Sequence, residues 1–87
     1  MDELIVRVAA SETFREALHH GMRVELVEVD SPFLIVTFTF DNLKVTRSVS
    51  EYYSDVAVEN TLHGAYEVLK YAIIHAQSEA QKGTTYD

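Results

Sequence analysis

No cysteine occurs in the chain, which excludes disulfides, thiolate zinc sites and cysteine nucleophiles together. Proline occurs once and glycine three times in 87 residues. That leaves no linker between two domains, and the length fits a single one. The glycines stand apart at 21, 64 and 83, so neither a P-loop nor a dinucleotide-binding turn is present. No run of about 18 apolar residues exists, so no membrane span is expected. The start, Met1-Asp2-Glu3, has two acids where a secretory leader needs bases. Arg7 then interrupts the apolar run from Leu4 to Ala10, so a signal peptide is not expected. A cytoplasmic location is expected, in keeping with the lack of cysteine.

Basic side chains are scarce as well. Seven Lys and Arg stand against fourteen Asp and Glu, for a formal charge of -7. Direct binding to nucleic acid or to an anionic membrane draws its affinity from cationic patches, so neither is expected. What the chain does have is apolar surface: 47% hydrophobic residues, including four Phe and five Tyr. That is enough to bury a core. A domain this small has a stability margin on the order of 5 kcal/mol, and association would add to it.

Residues 4–9 are rich in β-branched side chains and alternate as a strand would. The competing reading is a helix from Asp2, because Leu4, Ile5 and Val8 also fit helical spacing. A short helix over 12–19 follows, with Ser11 as its N-cap and Gly21 closing its C-terminus. Residues 23–29, 33–40 and 43–49 read as three strands. Asp30-Ser31-Pro32 and Asp41-Asn42 supply the turns between them. A two-residue turn at 41–42 sets Phe40 opposite Leu43 and Phe38 opposite Val45. A three-residue turn at 30–32 sets Leu26 opposite Val36 and Val24 opposite Phe38. Both hairpins then share one core face: Val24, Leu26, Leu34, Val36, Phe38, Phe40, Leu43, Val45 and Val49. The other face is polar except for Val27, Val29, Phe33 and Ile35 near the 30–32 turn.

A long helix begins near Ser54 or Asp55. Its seam is Val58, Leu62, Ala65, Leu69, Ala72 and Ala76. A helix over 55–82 is about 42 Å long, whereas a seven-residue strand spans about 24 Å. The sheet cannot cover such a helix. Tyr66, Ile73 and Ile74 add apolar surface off the seam, to be met by the short helix or by a second subunit. Lys82 and Gly83 mark the expected end, with 84–87 as a frayed tail. The expected fold is therefore α+β in the order β-α-β-β-β-α. An antiparallel sheet of three to four strands carries the short helix and the long C-terminal helix on one face.

Catalytic signatures are missing. His19 and His20 are adjacent, and His63 and His75 are twelve apart, so no two histidines have chelating spacing on a helix. No serine sits in a nucleophile elbow. No catalytic residue, metal or cofactor is expected. If a site exists at a subunit interface, Tyr52, Tyr53, His63 and Tyr66 are its nearest polar aromatics.

The leading expectation is a non-catalytic protein-interaction module that associates with itself. Its candidate interface is Val27, Val29, Phe33, Ile35, Tyr66, Ile73 and Ile74. A second expectation follows from charge. In size and acidity the chain resembles small phage inhibitor proteins, anti-CRISPR proteins among them, which implies an acidic face that mimics nucleic acid. The acids to examine for that are Glu12, Glu16, Glu25, Glu28, Asp30, Glu51, Asp55 and Glu59. The last five expected elements, α-β-β-β-α, resemble a double-stranded-RNA-binding domain in outline. Such domains grip phosphates with a basic N-terminus on the final helix. Here that position reads Ser54-Asp55-Val56-Ala57-Val58-Glu59, which repels them.

Overall fold

The computed structural model describes residues 2–85. Its elements are α1 (Asp2–Ala9), α2 (Glu12–His19), β1 (Arg23–Glu28), β2 (Phe33–Phe40), β3 (Leu43–Ser50) and α3 (Asp55–Thr85). The three strands form one antiparallel sheet in the order β1-β2-β3. The architecture is α+β, ordered α-α-β-β-β-α.

The first element corrects the expected strand at 4–9. Alternation would place Leu4, Val6 and Val8 on one side. Instead Leu4 and Val8 are fully buried while Val6 is 65% exposed. Ile5 packs against the same core. Spacing i, i+1, i+4 is a helical stripe, and burial of that stripe overrides the β preference of Ile and Val. Glu3 also stands in the first turn, at the positive end of the helix dipole.

Ser11 interrupts what would otherwise be one continuous helix. Its backbone is extended (φ -64, ψ 140), and its hydroxyl accepts from the amides of Thr13 and Phe14. At the far end of α2, Gly21 takes φ +82 and the Met22 amide donates to the Ala17 carbonyl, closing the helix with a Schellman turn. Ser54 caps α3, its hydroxyl accepting from the Ala57 amide at 3.1 Å.

Both hairpins take the expected register. Phe40 pairs with Leu43 and Phe38 with Val45, while Leu26 pairs with Val36 and Val24 with Phe38. Asp41 supplies the positive φ (53°) in the tighter turn. All nine residues expected on the core face belong to the core or pack against it. The three helices contribute Leu4, Val8, Ala17, Val58, Leu62, Ala65, Tyr66 and Leu69 to that same cluster. They therefore share one side of the sheet; among the described residues no helix or further strand packs on the other, where Ser50 alone is buried, its hydroxyl accepting from the Tyr52 amide.

The seam of α3 is buried from Val58 to Leu69, half-buried at Ala72 and exposed at Ala76. The sheet runs out beneath it, and α3 overhangs the 41–42 hairpin. The molecule is accordingly drawn out to 52 × 22 × 17 Å. Gly83 does not stop the helix, which continues through Thr85, so the expected tail from 84 is corrected. Tyr86 and Asp87 lie outside the described residues.

Gly64 sits in the exposed interior of α3, and a Cβ built there meets nothing within 4 Å. Glycine costs a helix backbone entropy that alanine does not. The Gly64→Ala variant is expected to gain about 0.5–1 kcal/mol, read as a higher urea midpoint. An unchanged or lower midpoint would show that another contact needs the bare backbone.

Candidate functional site

The uncovered face of the sheet is built in rows across the strands. Arg23, Thr39 and Lys44 form the row at the 41–42 end. Glu25, Thr37 and Thr46 follow, then Val27, Ile35 and Ser48, then Phe33 and Ser50. The Thr37 and Thr46 hydroxyls lie 3.2 Å apart and share a hydrogen bond. Toward the 30–32 turn the face becomes apolar. Val27 is 50%, Val29 61% and Phe33 47% exposed, and Ile35 is half-buried among them. Large β-branched and aromatic side chains are left half in water there.

Charge is distributed unevenly about this face. Arg23, Lys44 and Glu25 give it a net +1, which leaves -8 on the rest of a chain whose total is -7. The acidity thus belongs to the helical side and the loops.

Of the seven residues expected at an interface, Val27, Val29, Phe33 and Ile35 come together here. Ile73 and Ile74 lie on α3, in the helical layer. They help line a separate hollow of about 270 Å³ with His20, Met22, Phe40, Lys70 and Gln77. Tyr66 is a correction: only 3% exposed, it is part of the core. It follows Ala65 on the seam, and α2 packs beside it, taking up part of the apolar surplus. Burial and the nearby charge of Glu16 push its phenol pKa up, against a smaller opposing pull from Lys70.

The eight candidate acids do not form one face. Glu12, Asp55 and Glu59 line a groove of about 440 Å³ between α1, α2 and the start of α3. Glu51 and Asp55 border an adjoining one with Glu3 and Tyr52. Glu16 is elsewhere on α2, Glu25 is on the open sheet face, Glu28 ends β1, and Asp30 is in the turn.

Two of the grouped acids serve the fold. Arg7 donates to Asp55 at 2.8 Å and to the carbonyls of Tyr53 at 2.5 Å and Glu51 at 3.3 Å, fastening α1 to the start of α3. Glu59 accepts from the Ser11 hydroxyl, from the Thr13 hydroxyl at 2.6 Å and from the Thr13 amide at 3.1 Å. A carboxylate on α3 thus completes the N-cap of α2. Partial burial pushes the Glu59 pKa up, but these hydrogen bonds and the charge of His63 outweigh it and hold it below the usual glutamate range. Sequence inspection missed this role, because Ser11 and Glu59 are 48 positions apart and no local pattern links them.

Tyr52, Tyr53, His63 and Tyr66 do not converge. Tyr52 borders the acidic groove, whereas Tyr66 lines the hollow beside His20. The His63 and Tyr66 rings are near one another, with centroids 6.3 Å apart. All four histidines are exposed. Three of them have a glutamate one helical turn away: His20 with Glu16, His63 with Glu67 and His75 with Glu79, at 3.9, 3.5 and 4.0 Å. Among the described residues no three His, Asp or Glu side chains converge to hold a metal ion. No helix there is long and apolar enough to cross a membrane. Set against models of protein families, curated proteins and solved structures, the chain matches none of them.

Proposed function

We propose that this chain is a cytoplasmic, non-catalytic protein-interaction module that associates with itself through the open face of its sheet. The observation that carries this reading is the one-sided packing. Three helices share one side of the sheet, while Val27, Val29 and Phe33 stay exposed on the other around a half-buried Ile35. A second copy is the occupant that the charge favours. Two chains of charge -7 repel one another, least of all where each presents the one face that is not acidic.

Size sets the strength. Three strands of up to eight residues present a face of roughly 400 Å², so two such faces bury about 800 Å² together. Stable interfaces bury about 1,200–2,000 Å². The association is therefore weak and reversible. Sedimentation equilibrium from low to high micromolar chain is expected to show a monomer–dimer equilibrium. A monomer throughout that range would overturn self-association.

The nucleic-acid-mimic reading has less support, because the eight acids are divided among separate surfaces. Two of those in the grooves, Asp55 and Glu59, are engaged by Arg7 and by the cap of α2.

A further inference from the structure

We infer that Arg47 bars the outer edge of β3 from pairing with a further strand, the β3 of a second copy above all. The inference does not depend on association through the open face.

The edge itself is unpaired. β3 is the last strand of the sheet, and among the described residues no strand lies beyond it. Phe40 and Leu43 flank a two-residue turn, so they exchange both backbone hydrogen bonds, and every second pair along the hairpin does the same. Val45, Arg47 and Val49 therefore turn their amides and carbonyls toward β2. Lys44, Thr46 and Ser48 turn theirs outward. Such a row is a template for strand addition, and β3 has neither a proline nor a bulge to break it.

Arg47 departs from the pattern of its strand. Alternation puts it on the core side, between Val45, which packs against the core, and Val49, which is fully buried. It pairs with Val36, also fully buried. The arginine nevertheless stays exposed, and its guanidinium donates to the Thr46 carbonyl at 2.8 Å. That carbonyl is one of the outward row. A charge on the inner side of an edge strand deters pairing, because an incoming strand must strip water from it.

Trial pairing of two β3 edges shows the effect. Antiparallel registers that keep both core sides together set odd-numbered residues opposite odd-numbered ones. The two longest overlaps place Arg47 against the partner's Val45 or the partner's Arg47, and the next two against the partner's Leu43 or the partner's Val49. Opposed side chains lie about 5 Å apart. In each register the guanidinium loses the Thr46 carbonyl and meets no acid, because β3 holds Lys44 and Arg47 but neither Asp nor Glu. Two-fold symmetry doubles the effect. Arg47 thus keeps the three-stranded sheet from extending edge to edge into a continuous sheet of twice that width.

Amide hydrogen exchange on the full chain, followed by NMR from low to high micromolar concentration, reads the edge directly. The Lys44, Thr46 and Ser48 amides face water in a single chain and are covered once a strand is added. Stacking through the open face leaves them in water, so the readout is separate from the association proposed above. In the parent these amides are expected to exchange fast at every concentration. In Arg47→Val, and in the more soluble Arg47→Thr, they are expected to slow at least about tenfold as concentration rises. Arg47→Lys keeps the charge and is expected to behave as the parent. Protection of these amides in the parent, its absence from both uncharged variants, or equal protection in the lysine variant would each overturn the inference.

Discussion

The Ile35→Lys variant is expected to fold and to lose self-association, with the dimer weakened at least ~100-fold. Ile35 is in the central strand, half-buried among its neighbours on the open face. A lysine there keeps its ammonium in water in the monomer by extending along the strand. In the proposed dimer each ammonium group would enter an apolar contact without a counter-charge. Apolar area is lost twice over for the same reason. Sedimentation equilibrium reads the effect, and urea unfolding shows whether the monomer is intact. A variant that dimerises as the parent does would remove the open face from the proposal and direct attention to the hollow beside Ile73 and Ile74.

Glu59→Ala is expected to cost about 2–3 kcal/mol at neutral pH, roughly half the margin of a domain this size. The hydroxyls of Ser11 and Thr13 lose their acceptor at once, and the Thr13 amide is left with the Ser11 hydroxyl alone. Ser11 and Thr13 are buried, so water does not readily replace the carboxylate. The same network makes stability depend on pH. The folded-state pKa of Glu59 lies below its unfolded value. Its contribution is therefore complete above the ordinary glutamate range and is lost as pH falls through the lowered folded value. Urea midpoints of parent and variant should differ most at neutral pH and converge in acid. A gap that persists unchanged into strong acid would show that packing, not the carboxylate, is responsible.

Legibility in the sequence divided by distance along the chain. Both hairpins could be read because their information is local. Asp41-Asn42 and Asp30-Ser31-Pro32 are turn chemistry, and period-two alternation on each side selects one register. The caps at Ser11, Gly21 and Ser54 were legible for the same reason. The overhang of α3 followed from two rises per residue, 1.5 Å in a helix against about 3.4 Å in a strand. The first element was not legible. Leu4 to Ala9 satisfies strand alternation and a helical stripe at once, and only the core that Leu4 and Val8 enter separates the two. Tyr66 was misassigned to an interface because the sequence does not show that α2 lies beside it.

The candidate site divides along the same line. By itself the sequence determined the α+β class, the register and the cluster of Val27, Val29, Phe33 and Ile35 on one sheet face, since strand geometry sends alternate side chains to opposite sides. Only the tertiary structure decided that neither a helix nor a fourth strand packs on this face. A fourth strand or a helix could have covered it, and α1 instead packs with α2 and α3 on the other side. The bonds of Glu59 to Ser11 and Thr13 and of Arg7 to Asp55 were decided there too. They join residues 46 to 48 positions apart, which meet only once the helices have packed on the sheet.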